Sequence, residues 1–314
     1  MALARSTDTG TVASAPATRR RMTPAVWARR GGLSTLAFGL PMVLVFALFS
    51  WWPILRSVVM SLQQTNFIVT EWVGVENFAR VMADPLLGRA AWNTVQFTLW
   101  SVAIGFPTPI LLAVFIAELR RTRAFASVLA YLPVIVPPVV AVLLWKNFYQ
   151  PGDSGLFNTV LGWFGAGPLA WLNNGDLAIP SIIVEATWAG FGTATVIYLA
   201  TLMTIRTELY EAAEIDGASI LSRFWHITLP QMRGTLLIMF LLQVIGVFQL
   251  FTEPYIMTGG GPENRTVTVL MLIYRYAFVS GDYGRATALS LCLAAALAVL
   301  SAVYLWATRR WSQS

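Results

Sequence analysis

Charge is what this 314-residue sequence has least of: Asp, Glu, Lys and Arg make up only 11% of it, against about 25% in soluble globular domains. So few ions cannot cover a water-facing surface of ordinary size, and a soluble globular fold is excluded. Lys146 is the single lysine beside twenty arginines, His226 the single histidine and Cys292 the single cysteine. One cysteine forms no intrachain disulfide, and one histidine with no second His or Cys to share an ion makes no metal site. No Gly-rich loop ends in Gly-Lys-Ser/Thr, so the chain has no phosphate cradle with which to hydrolyse ATP. Ser219 and Ser222 near His226 read as helix caps, not as nucleophiles with a base and an acid behind them. The chain itself is therefore not expected to be an enzyme.

Apolar residues fill the space instead, at 57% of the sequence. Stretches without Asp, Glu, Lys or Arg cover 31–55, 90–117, 124–145, 186–205, 234–252 and 286–308. Each supplies the roughly 20 residues, rising about 1.5 Å apiece, that cross a hydrocarbon core. They are apolar on every face, without the alternation a membrane barrel requires. The expectation is an all-α membrane protein with six transmembrane helices.

Arginine placement sets the orientation. With the N-terminus inside, the cytoplasmic pieces hold Arg5, Arg19, Arg20, Arg21, Arg29, Arg30, Arg120, Arg121, Arg123, Arg206, Arg223, Arg233, Arg309 and Arg310. The outside keeps the smaller set of Arg56, Arg80, Arg89, Lys146, Arg265, Arg275 and Arg285. Positive charge thus accumulates inside, so both termini and the loop of about 206–233 between helices four and five are expected in the cytoplasm. The formal charge of +6 follows from this topology and from attraction to anionic membrane lipid; nucleic acid is not an expected partner. Residues 1–30 are rich in Ala, Thr, Ser and Arg with no apolar run and read as a disordered cytoplasmic tail, not a cleaved signal; 31–314 then form the membrane domain. Trp51 and Trp52 end the first span where tryptophan suits the outer interface.

Between the fourth and fifth spans lies a polar island. Leu209, Ala212 and Ala213 recur at helical spacing while Glu208, Glu211 and Glu214 fill much of the rest, which gives a short amphipathic helix with acid toward its start. Gly217, after Asp216, ends that helix in a left-handed corner. Ser219 caps a second helix through Ile220, Leu221, Phe224 and Ile227, which Pro230 is expected to stop before the fifth span. A merely solvated connector has no need of small Ala212 and Ala213 beside a glycine, whereas a helix that fits a groove on another protein does. A DNA-reading helix-turn-helix is excluded by the spans on both sides and by the single Arg223 before Arg233.

The order Glu211-Ala212-Ala213, three residues, Gly217, nine residues, Ile227, one residue, Leu229-Pro230 resembles the signature loop of the membrane subunits of binding-protein-dependent ABC importers. Further likeness to the carbohydrate importers of that family, the maltose and glycerol-phosphate type, comes at Trp72-Val73-Gly74-Val75-Glu76-Asn77-Phe78, Leu132-Pro133, Trp145 and Gly155-Leu156-Phe157-Asn158. It continues at Trp188-Ala189-Gly190-Phe191 and Thr258-Gly259-Gly260-Gly261-Pro262, so that it spans roughly 35–310. The resemblance implies a multi-pass permease in a bacterial inner (plasma) membrane. It implies pairing with a second, similar permease, two copies of a cytoplasmic ATPase that bind ATP and Mg, and an extracytoplasmic solute-binding protein. The coupling contact would fall on Glu211, Ala212, Ala213, Asp216, Gly217, Ile227, Leu229 and Pro230, and no cofactor would reside in this chain.

For the solute path, polar residues of the later spans stand interleaved with aromatic ones: Glu185, Thr187, Thr193, Thr195, Gln243, Gln249 and Glu253 with Trp188, Phe191, Phe248, Phe251 and Tyr255, and with Gly190 leaving room. Rings stack on sugar faces, and amides and carboxylates bond hydroxyls. Glu185 faces either the bundle interior or the outer headgroups. Gln243 and Gln249 are six residues apart, about 1.7 helical turns, so they point in different directions and only one meets the path squarely. Spans four to six carry no Arg or Lys inside, which favours a neutral or amine-bearing sugar over a phosphodiester. A membrane-anchored receptor or scaffold that recruits a cytoplasmic partner without transport is the alternative; polar and aromatic residues lining the spans favour the permease. The stripe Ala286, Ser290, Ala294, Ala298, Ala302 in the last span suits close helix packing.

Overall fold

A computed structural model of the chain describes residues 33–119 and 121–309. The expected tail over 1–30 and Arg310 lie outside the described residues. The chain divides into two compact units at Arg56. The described part of the first is helical, Leu33–Phe46 continuing through a π turn at Ala47–Trp51. It opens the apolar helix Ala37–Ser61 (α1), which is long enough to cross a membrane.

The second unit begins with a short antiparallel hairpin, β1 (Gln63–Thr65) and β2 (Thr70–Trp72), in which Gln63 pairs with Trp72 and Thr65 with Thr70. Then come α2 (Glu76–Met82) and the long α3 (Pro85–Glu118). After these follow α4 (Arg123–Ile135), α5 (Pro138–Phe148), α6 (Leu156–Trp163) and α7 (Ala178–Leu202). The chain continues as α8 (Thr207–Ile215), α9 (Ile220–Phe248), α10 (Thr252–Thr258), α11 (Val269–Val279) and α12 (Tyr283–Thr308).

Five helices, α1, α3, α7, α9 and α12, are each long and apolar enough to span a bilayer. The sixth expected span, 124–145, is not a single helix: α4 and α5 meet at 93° and make one crossing only as a broken pair. Its sequence explains the break. Val136 precedes two prolines and is extended at ψ 128°, because a residue before proline is driven out of the α region and neither ring nitrogen has a hydrogen to donate.

Pro230 departs from expectation in the opposite sense, because it does not stop the helix. The chain runs unbroken from Ile220 to Phe248 through a π turn at Phe224–Thr228, where the Leu229 N–H reaches back to the Phe224 carbonyl. Widening that turn removes the clash a proline ring makes with the carbonyl four residues earlier and leaves no ladder bond waiting for its missing N–H.

Three apolar clusters order the second unit. One joins α2, the start of α3, α11 and the start of α12 through Val81, Ala90, Leu272 and Ala288. A second gathers Phe97, Val142, Trp145, Tyr149 and Ile182 in the middle. The third, at the α8 end, holds Ile116, Ala130, Tyr198, Leu199 and Met232. In lipid, close packing rather than expulsion of water holds helices together, and small residues permit it. At Gly192 of α7 an added Cβ would collide with the Ala130 carbonyl of α4, and at Gly284 of α12 with the Gln63 carbonyl of β1.

Candidate functional site: the α8 corner and the polar residues of the spans

The corner after α8 has the bonding of a Schellman cap. Gly217 stands at φ +76°, its N–H reaching the Glu214 carbonyl at 3.0 Å, and the Ala218 N–H reaches the Ala213 carbonyl at 2.8 Å. Nothing lies within 4 Å of where a Gly217 Cβ would sit, so its backbone angle and not crowding requires glycine. Ser219 then caps α9, its Oγ accepting from the Ser222 N–H at 3.2 Å. Arg223 to Glu214 at 3.4 Å and the Tyr210 hydroxyl to Thr228 Oγ1 at 3.0 Å tie α8 back onto the π turn.

This brace leaves the outer surface of the corner to solvent. Glu211, Ala212, Asp216, Gly217 and Pro230 are exposed and Ala213, Ile227 and Leu229 half-buried. Ile215 at 87%, Ile220 at 72% and Leu221 at 66% exposure form an apolar patch beside them. Glu211 also borders a cavity of about 690 Å³ whose other wall includes Glu118 and Arg123.

Within the spans, the polar residues divide by what they already bond. Gln243 is engaged: its Nε2 donates to the Ser101 carbonyl at 2.9 Å and to Ser101 Oγ at 2.7 Å. Ser101 opens the π turn Ser101–Gly105 of α3, where its carbonyl already accepts the Phe106 N–H at 2.9 Å, so the amide adds a second donor to that carbonyl and ties α9 to α3. Gly105 makes room for it, since a Cβ there would stand 2.8 Å from Gln243 Nε2 and 3.2 Å from Thr187 Oγ1. Gln249, by contrast, is exposed at the end of α9 and makes only a long 3.3 Å bond to the Ile245 carbonyl.

Glu185 is 1% exposed, its side chain packed inside the chain. Its Oε2 has no hydrogen-bond partner among the described residues, and Tyr149 and Glu253 are its electrostatic neighbours. Trp188 is half-buried with its ring 5.5 Å from that of Trp145 in the middle cluster. Phe191 packs into the cluster at the α8 end, and Thr195 is buried. Gly190 and Thr193 are exposed, Thr187, Phe248 and Glu253 half-buried, and Tyr255 is 43% exposed. The close-packed glycine of this stretch is Gly192, two residues beyond the one the sequence pattern singles out.

A family model for the inner membrane component of binding-protein-dependent transport systems matches residues 105–313, from the Ser101–Gly105 turn through the α8 corner to α12. The chain belongs to this family. Among curated relatives, the arabinooligosaccharides transport system permease protein AraP of Bacillus subtilis (strain 168) is 29% identical over 270 residues, covering 85% of this chain and 86% of AraP. The lactose transport system permease protein LacF of Rhizobium radiobacter is 32% identical over 279 residues, covering 87% and 93%. A crystal structure of a bacterial alginate ABC transporter, in complex with an alginate pentasaccharide-bound periplasmic protein, has a chain that superposes with a TM-score of 0.80 at 25% identity, covering 92% of this chain and 99% of that one. The chain is thus a multi-pass inner membrane transport component.

Several residues that build this permease carried no functional signal in the sequence. Arg80 meets Asp282 at 2.5 Å and Arg285 meets Asp84 at 2.5 Å, which fastens α2 and the start of α3 to the start of α12. Asp84 also receives the Tyr276 hydroxyl at 2.6 Å, and Arg285 lies over the Tyr276 ring at 4.0 Å. Two asparagines within the quoted motifs turn out to be loop staples. Asn77 donates to the Ser61 and Gln63 carbonyls at 2.9 Å each, and Asn158 accepts from the Leu169 N–H and Trp171 Nε1 at 3.0 Å each. Asn93 of α3 does the same for the loop after the glycine run, donating to the Asn264 and Val267 carbonyls at 2.7 and 2.9 Å. The sign that was present is the residue type: a buried amide in an apolar chain implies backbone in need of partners.

Proposed function

We propose that this chain is one permease subunit of a carbohydrate ABC importer, forming half of the translocation path and receiving the stroke of a cytoplasmic ATPase on the α8 corner. The observation that carries the reading is the corner itself, a capped and braced turn with an exposed apolar patch, in a chain that matches the importer family on both sides of it. Family membership supports a second, similar permease, two ATPase copies that hold ATP and Mg, and a solute-binding protein on the outer face. The last of these is supported by the periplasmic protein bound to the related alginate transporter. Orientation follows the arginine bias: both termini and α8 inside, the β1–β2 hairpin and α10–α11 outside. Relatives named for arabinooligosaccharides and lactose support a sugar as the solute.

On this reading, closure of the ATPases presses the corner, and α9, continuous from the corner to Gln249, carries the movement to the outer mouth of the path. Gln249, Glu253 and Tyr255 would meet the solute there, with Glu185 deeper. The test is uptake of labelled oligosaccharides by the whole complex in proteoliposomes, with ATP against a non-hydrolysable analogue. ATP-dependent uptake that needs the binding protein is expected. A complex that binds its cytoplasmic partner yet moves no solute with ATP would overturn the reading in favour of a receptor or scaffold.

A further inference from the structure

We propose, resting on the carbohydrate reading above, that six aromatic rings form a stacking track that hands a saccharide from the outer hairpin to the polar residues at the end of α9. The rings touch in series. Phe67 lies 4.3 Å from Tyr283, Tyr283 6.4 Å from Phe278, Phe278 5.1 Å from Tyr274, and Tyr274 5.2 Å from Tyr255. Tyr255 then stacks on Phe251 at 4.9 Å with an interplanar angle of 17°. Phe251 stands two residues from both Gln249 and Glu253, so the series ends where the candidate path begins.

Three features set this series apart from core packing. Phe251 and Tyr283 also pack against the first apolar cluster, but Phe67 is 66%, Phe278 69% and Tyr255 43% exposed, whereas rings of the middle cluster, such as Trp145 and Tyr149, are buried against each other. Phe67 is held at φ +68°, a left-handed angle costly for a bulky residue. The turn around it is pinned by the Phe67 N–H to Thr65 Oγ1 at 3.1 Å and by the Ile68 and Val69 N–H groups to Asn66 Oδ1 at 3.0 and 2.8 Å. Backbone strain kept in place to present an exposed ring is the pattern of a ligand contact. Beside that end lies a cavity of about 330 Å³ lined by Gln64, Asn66, Glu71 and Asp282, whose amides and carboxylates suit hydroxyl groups. Apolar faces with a few convergent polar groups are what a sugar ring requires. Rings that merely anchor in lipid headgroups need neither continuous contact nor such a cavity.

The test uses the whole importer in proteoliposomes with labelled malto-, arabino- and galacto-oligosaccharides, a disaccharide and a longer chain of each. Phe278→Leu and Phe67→Leu keep apolar bulk but remove the ring. Each is expected to raise the uptake KM for the longer chain by about three- to tenfold, and for the disaccharide less, with complex yield and basal ATP hydrolysis unchanged. Phe278→Trp, which restores a ring, should return KM toward the parent value. Where Phe278→Leu fails to assemble, the turn variant Phe67→Leu decides. Unchanged KM in the variants overturns the track, and unchanged KM with reduced complex yield assigns the rings to lipid anchoring. A parent complex that takes up none of these saccharides overturns the carbohydrate reading and the track with it.

Discussion

Arg285 Nη2 lies 2.5 Å from Asp84 Oδ2, an ion pair between residues 201 positions apart. Asp84 also caps α3, its Oδ1 accepting the Leu86 N–H at 2.7 Å, so a single carboxylate fixes the starts of two membrane helices. Burial works to raise its pKa, but the Tyr276 hydroxyl, the Leu86 N–H and Arg285 together outweigh burial and hold the carboxyl below its ordinary value of 3.8. A group depressed in the folded state stabilises fully above its unfolded pKa and loses that contribution as pH falls through the folded one. The thermal stability of the purified complex should therefore fall as pH drops below about 4. Asp84→Asn, which can still cap α3, is expected to cost about 1.5–3 kcal/mol at neutral pH and to flatten that acid limb. An acid limb as steep as in the parent would assign it to other carboxylates.

The corner at Gly217 permits a test in which space and backbone angle separate cleanly. With nothing near its missing Cβ, any loss on substitution comes from the left-handed angle, about 1–2 kcal/mol for an ordinary L-residue. Gly217→Val is expected to insert normally yet lose solute-stimulated ATP hydrolysis, and Gly217→Asn, which tolerates that angle, to keep most of it. Equal stimulation in both variants would remove the corner from coupling.

Glu211 is exposed on α8 and is expected to meet a basic group of the ATPase in a partly desolvated contact. Truncating one partner of such a pair costs about 2–5 kcal/mol. Glu211→Ala should then reduce ATPase co-purification and uptake while permease levels hold. Retention and uptake equal to the parent would make the glutamate a solvated surface charge.

The spans were legible in the sequence because a bilayer forbids charge over about 20 residues, and five of the charge-free runs overlap α1, α3, α7, α9 and α12, though 234–252 begins fourteen residues after α9 does. The corner was legible because glycine takes the left-handed angle at position 217 without steric cost. The break at Val136 was written in Pro137-Pro138, yet the charge-free run across 124–145 conceals it, since hydropathy carries no information about direction. Pro230 misleads for a related reason, because its local cost is met by a π turn that only the neighbouring packing makes worthwhile. The pairs Arg80–Asp282 and Arg285–Asp84, and the Gln243–Ser101 contact, join segments more than a hundred residues apart, and no local pattern encodes such partners.

Gln243 and Gln249 now exchange the equal standing they have in sequence for different expected roles. Gln243 spends its amide on the Ser101 carbonyl and hydroxyl, two hydrogen bonds worth about 0.5–1.5 kcal/mol each. Gln243→Ala should therefore lower complex yield and Tm and leave the relative preference between two competing sugars unaltered. Trp188→Ala, which opens the aromatic cluster around Trp145, should behave in the same way. Gln249 is exposed and holds only one long bond, so Gln249→Ala should keep yield and basal ATP hydrolysis while changing uptake KM or the preference between the two sugars. Measuring yield, basal ATPase and competitive uptake for the three variants side by side separates packing from path. A selectivity change in Gln243→Ala with an unaltered Gln249→Ala would reverse the assignment and put the path between α3 and α7, at Ser101 and Thr187.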